Sequence, residues 1–204
     1  MNLCVLASGR GSNLQSIIRS RQTGKIKSKI ALVVSNNSNS NALNIARNNQ
    51  IPAVHLSRKL FAAENEYNSR FLKLLKEYRI DLIILAGYMK LIPLEVVRAY
   101  KNKIINIHPA LIPSFCGKGL YGMNVHQAVL DYGAKVTGVT VHLVDEEYDT
   151  GPIVLQKTVK VHDDDTAESL QKRVLKLEHK MFPEAIKLFE SKKFNITGRK
   201  VYFT

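Results

Sequence analysis

Short apolar runs alternate with helical patterns through the first half of this chain, and that alternation limits the fold more than any other feature. Residues 1–7, 29–35, 52–56, 81–86 and 104–108 are rich in branched aliphatic side chains and bounded by polar or turn-forming ones, which predicts strands. Residues 13–20, 42–48, 64–78 and 93–100 between them carry helical spacing. In the third, Tyr67, Phe71, Leu74, Leu75 and Tyr78 make one apolar stripe. Such alternation predicts an α/β, Rossmann-like fold: a mostly parallel, twisted sheet with helices on both faces. Ligands in these folds bind beyond the carboxyl ends of the strands.

The pattern changes after residue 109. Residues 137–144 alternate, with Val139, Val141 and Leu143 on one face, and 153–161 form another strand. The loop 145–152 between them contains Asp149-Thr-Gly-Pro152, strong turn chemistry. Later antiparallel strands are therefore expected. Asp165 or Thr166, with Glu168 in support, can cap a long C-terminal helix that Pro183 should kink or restart. The tail 194–203 reads as a small hairpin turning at Thr197-Gly198.

At 204 residues, 45 % of them hydrophobic, the chain has material for one domain with a substantial core. No apolar run approaches the roughly 20 residues of a membrane helix. The first residues read as a strand rather than a cleavable leader, so a cytoplasmic protein is expected. Two cysteines, Cys4 in an apolar strand and Cys116 in a Gly-rich loop, make neither a disulfide framework nor a zinc site. The net charge of +13 is spread along the chain without a block of like charges. A solvated lysine-rich surface explains it better than nucleic-acid binding, and a positive field also favours small anionic substrates.

Chemistry concentrates in Lys103-Ile-Ile-Asn-Ile-His-Pro109. Asn106 and His108, two apart on a strand, emerge on one face. A polar pair at the end of a buried strand needs a purpose. An amide donor beside an imidazole suits acyl transfer. Asp149 offers a carboxylate that would favour the imidazolium, or it is simply a turn former. The segment Ser8-Gly-Arg-Gly-Ser-Asn-Leu14 joins strand, glycine turn and helix start. It lacks the third glycine of a dinucleotide fingerprint and any Walker A pattern, which leaves a single phosphate site or a plain capped turn. Glu178 interrupts the apolar row Leu170, Val174, Phe182, as a substrate acceptor or as an ion-pair partner. Asp163-Asp-Asp165 precedes a helix, so capping explains it better than a metal. His55, His126, His142, His162 and His179 have no metal-ligand spacing.

Four segments together resemble the phosphoribosylglycinamide formyltransferases, folate-dependent enzymes of purine biosynthesis. They are Ser8-Gly-Arg-Gly-Ser-Asn13, Leu85-Ala-Gly-Tyr-Met-Lys-Leu-Ile92, Asn106-Ile-His-Pro-Ala-Leu-Ile-Pro113 and Gly138-Val-Thr-Val-His-Leu-Val-Asp-Glu-Glu-Tyr-Asp-Thr-Gly-Pro152. The resemblance implies one formyltransferase domain over 1–204, with a phosphate-substrate half (1–100) and a folate-binding, catalytic half (101–204). It implies that Gly11, Ser12 and Asn13 hold the substrate phosphate and that Glu178 meets the glycinamide end. Met89, Lys90, Leu91 and Ile92, with Asn106, would meet the folate. Asn106, His108 and Asp149 would be catalytic, Asp149 keeping His108 protonated. The co-substrate would be 10-formyltetrahydrofolate, with no metal, no nucleic acid, no membrane, and a monomer or homodimer. Glu64 stands where many relatives carry a folate-binding arginine, and the 115–124 loop is longer than in some. A tRNA-acting formyltransferase, a formylfolate hydrolase and a non-catalytic phosphate module are the rival readings.

Overall fold

Residues Leu3 to Leu6 are small or branched, and all four are fully buried. They form the strand β1 (Asn2–Leu6) at the centre of a parallel arrangement. The computed structural model describes residues 1–191 and 193–204, and these fall into two units, Met1–Ile105 and Asn106–Thr204.

In the first unit, α1 (Ser12–Gln22), β2 (Lys29–Ser35), α2 (Asn41–Asn48) and β3 (Ala53–His55) follow β1. Then come α3 (Glu64–Glu77), β4 (Leu82–Leu85), α4 (Leu94–Ala99) and the start of β5 (Ile104–His108). The strand order is β3-β2-β1-β4, and each neighbouring pair is parallel. The Ile83 N–H donates to the Lys103 carbonyl at 2.9 Å, which sets the beginning of β5 beside β4. Side-chain choice explains these elements locally. The Ser40 hydroxyl caps α2 through the Ala42 N–H. Glu64 and Glu66 complement the positive end of α3. Tyr67, Phe71, Leu74 and Leu75 bury the stripe that the spacing predicts.

The second unit holds α5 (Met123–Asp131), β6 (Val136–Leu143), β7 (Ile153–Lys160), α6 (Ala167–Ser191), β8 (Phe194–Thr197) and β9 (Lys200–Phe203). The pairs β6–β7 and β8–β9 are antiparallel, and β9 meets β7 in parallel at Lys200 and Ile153. Helix α6 packs on α5, β6 and β7. Its row Leu170, Val174, Glu178 and Phe182 is buried. Thr166 and Ser169 exchange hydrogen bonds across the start of α6, and the Asp165 carboxylate accepts from Ser169 and from Arg173. Phe194 and Phe203 of the hairpin stack on Phe189 of α6, with ring centroids 5.0 and 5.5 Å away.

Two local expectations differ. Helix α5 begins inside the stretch read as a loop. And α6 continues through Pro183 without a restart, as one 25-residue helix. Met181, Phe182, Ala185 and Ile186 are all buried around that proline, so packing outweighs the lost backbone bond. At the start of α6 Glu168 is hydrogen-bonded to the Thr166 side chain, as expected, and Ser169 joins the cap. Among the described residues, no helix is long and apolar enough to cross a membrane.

Candidate active site

The last residues of β5 present their side chains alternately. Ile107 enters the core, and Asn106 and His108 emerge together on the opposite face. The following turn is pinned by one buried hydroxyl. Thr140 on β6 donates to the Ala110 carbonyl at 2.7 Å and accepts from the Ile112 N–H at 3.1 Å and from Gln156 at 3.0 Å.

Asp149 reaches this pair from the β6–β7 loop. One carboxylate oxygen lies 3.4 Å from the Asn106 amide nitrogen, and the other lies 3.7 Å from His108 Nδ1. The second oxygen also accepts the Gly117 N–H at 2.9 Å. Asp149 adopts a left-handed φ of 57°. Its neighbours make this possible. Thr150 donates its hydroxyl to Asp145 at 2.6 Å, and the Leu143 N–H donates to the Pro152 carbonyl at 2.8 Å. Gly151 packs so closely that a Cβ there would sit 1.8 Å from the Leu143 carbonyl oxygen.

His142, on β6, completes the cluster. Its Nδ1–H donates to the Leu143 carbonyl at 2.8 Å, so Nε2 is left to accept from Asn106, 3.1 Å away. Nε2 is also 3.5 Å from Asp149. Both hydrogens of the Asn106 amide are thus engaged, one firmly by His142 and one weakly by Asp149.

The electrostatics correct one expectation. Burial pushes the pKa of His108 down, and His142 adds to that. Asp149 and the Phe115 carbonyl, 2.8 Å from Nε2, push it up but are outweighed. The net direction thus favours the neutral ring over the imidazolium, and in that form Nε2–H donates to Phe115 and Nδ1 keeps its lone pair. For Asp149, burial raises the pKa, but His142, the Gly117 N–H and His108 together hold the carboxyl below its usual range. Burial and Asp149 both raise the Cys116 thiol, which donates to the Pro113 carbonyl at 3.2 Å. That environment makes it a poor nucleophile.

In the first unit, Gly11 precedes α1 with φ 77°, and a Cβ there would lie 2.9 Å from Ala42 Cα. Only glycine fits. Ser12 and Asn13 open α1, where backbone N–H groups point out of the helix end. Ser40, Asn41 and the Ala42 N–H hold the carbonyls of Gly9 and Arg10. The Ser8 hydroxyl accepts from the Met89 N–H at 2.8 Å, which ties residues 87–89 to the end of β1. Met89, Lys90 and Leu91 are exposed and Ile92 is buried. Glu178, on the buried row of α6, is 9 % exposed.

Comparison with known proteins gives this arrangement its context. The family model described as formyl transferase matches residues 1–186. This chain belongs to the formyl transferase family. Phosphoribosylglycinamide formyltransferase, chloroplastic, of Arabidopsis thaliana is 44 % identical over 185 residues, which cover 90 % of this chain and 63 % of that one. The chain thus spans less than two thirds of the chloroplast relative's length. The phosphoribosylglycinamide formyltransferase of Haemophilus influenzae is 36 % identical over 200 residues, 98 % of this chain and 92 % of its own. The crystal structure of glycinamide ribonucleotide transformylase 1 from Symbiobacterium toebii superposes with a TM-score of 0.92 at 37 % identity, covering 100 % of this chain and 93 % of that one.

Within this chain, the structure brings Asn106, His108 and Asp149 into one cluster and adds a residue that sequence reasoning passed over. His142 has no metal-ligand spacing to single it out in the sequence. A signal was available: it lies on a strand buried on both faces from Thr137 to Leu143, and a polar side chain there needs partners. His126 on α5 likewise lacks such spacing. It is buried behind the site, and burial, with the nearby His108, pushes it down to about 4.

Proposed function

We propose that this chain transfers the formyl group of 10-formyltetrahydrofolate to the amine of glycinamide ribonucleotide, a step towards IMP in purine biosynthesis. The observation that carries this reading is the contact of Asp149 with both Asn106 and His108 in a chain of the formyl transferase family. The Haemophilus relative, matched over nearly its whole length, supports glycinamide ribonucleotide as the acceptor.

The amine attacks the formyl carbon, and the carbonyl becomes a tetrahedral oxyanion. Asn106 turns its weakly held hydrogen from Asp149 towards that oxygen. Neutral His108 takes up the proton the amine loses, through water held at Asp149, and becomes an imidazolium. Both ring nitrogens then carry hydrogens, and the cation stabilises the oxyanion while Asp149 stabilises the cation. The carbon–nitrogen bond to the folate breaks as His108 returns the proton to the leaving nitrogen. One proton leaves one amine and one reaches the other, so the products are the formylated amine and tetrahydrofolate. The scheme uses no metal and no covalent enzyme intermediate.

The other roles follow from chemistry. Gly11, Ser12 and Asn13 offer N–H groups at the start of α1 to the substrate phosphate. Glu178 accepts from the glycinamide end. Met89, Lys90, Leu91 and Ile92, with Asn106, meet the folate. The test is to incubate the purified protein with glycinamide ribonucleotide and 10-formyltetrahydrofolate without added metal. Formylated product is expected. Release of formate alone, independent of the amine, would instead support a hydrolase.

A further inference from the structure

The hairpin β8–β9 lies beyond residue 186, where the family match ends, yet it bears on the loop that carries Asp149. Arg199, at the tip of the hairpin, donates from Nη2 to the Thr150 carbonyl at 2.7 Å. Its neighbour Lys200 pairs with Ile153 at the start of β7. Both contacts fall within four residues after Asp149. The hairpin presents them from a firm base. Its two-residue turn is closed by the Thr197–Lys200 pair, and Phe194 and Phe203 are stacked on Phe189 of α6.

We infer that Arg199 is a positioning residue for the reaction: by clamping the Thr150 carbonyl it fixes the peptide after Asp149 and so keeps the carboxylate against Asn106 and His108. This rests on the formyl-transfer reading. The need for a clamp comes from the backbone. A left-handed non-glycine residue persists only where its surroundings hold it. On the inner side, Asp145 holds the Thr150 hydroxyl and Leu143 closes on Gly151 and Pro152. On the outer side, Arg199 holds the Thr150 carbonyl. The groups that face His108 are Asp149 from the loop, His142 from β6, His126 from α5 and the Phe115 carbonyl. Arg199 is not among them, so it acts through the position of Asp149.

The test uses the full chain with Arg199→Ala and Arg199→Lys. Arg199 is exposed, and thermal melting checks that both variants fold. Arg199→Ala should lower kcat about tenfold while KM for either substrate changes less than about twofold. Its acid limb should move to lower pH, because His108 loses the neighbour that favours its cation. Lysine, which can also donate to one carbonyl, should restore most of the rate. NMR titration of the His108 ring, which needs no substrate, should give a lower pKa in the alanine variant. Parent-like kcat, acid limb and ring titration would overturn the assignment, as would a lowered melting temperature with no other change. If the parent itself formylates no glycinamide ribonucleotide, the functional reading fails, and the ring titration still decides whether Arg199 places Asp149.

Discussion

His108 is held between opposing effects, and that balance sets its chemistry. Burial favours the neutral ring, and Asp149 favours the cation. A base that is neutral at rest and stabilised once charged can take a proton and give it back. Asp149→Asn removes the favourable half. The pKa of His108 should then fall further, so the rate is lost at lower pH on the acid side, and kcat should drop at every pH. A kcat–pH profile checks both; an unmoved acid limb with unchanged kcat would contradict the role. Asn106 and His108 were legible because a polar pair in an apolar strand has few structural uses. The neutral state of His108 was not legible, since burial depends on the elements that close over it. His142 escaped because the alternation of Val139, Val141 and Leu143 drew attention to the other face of its strand.

At the scale of elements, the β6–β7 loop decides whether Asp149 arrives. Gly151 is fixed by close approach, since any Cβ collides with the Leu143 carbonyl. Gly151→Ala should push the loop off β6, lower kcat at least about tenfold and lower the melting temperature. Parent-like turnover with an unchanged melting curve would show that the loop tolerates displacement. Much of the element pattern could be read directly. The strands Lys29–Ser35 and Ile104–His108 have the bounds that their apolar runs suggest. Helix α5 could not be read in the same way. Its nine residues follow a stretch with Gly117, Gly119 and Gly122, all at positive φ, and turn chemistry masks the helical period. Pro183 shows a related limit: local propensity predicts a kink or a restart, and the buried side chains on both sides carry the helix through without the restart.

For the whole molecule, the titrating groups give stability one direction with pH. His126 and His108 have lowered values in the fold, so the unfolded chain binds more protons as pH falls below the ordinary histidine value near 6.5. Asp149 and Asp165 are also lowered, Asp165 chiefly by Arg173, and their contribution is present above the ordinary aspartate value and lost as pH falls through the folded one. All four act in the same sense. The melting temperature should fall steadily from neutral pH towards about pH 4. His126→Leu should make that slope shallower, because it removes a ring whose pKa burial lowers in the fold. A melting temperature that is flat over this range would contradict the balance.

The turnover of His108→Ala, measured beside the parent with glycinamide ribonucleotide and 10-formyltetrahydrofolate, tests the catalytic role most directly. The predicted result is a loss of about 10²–10³ or more in kcat with folate affinity within a few-fold of the parent. A variant that turns over at close to the parent rate would mean that the imidazole is not the group that moves the proton.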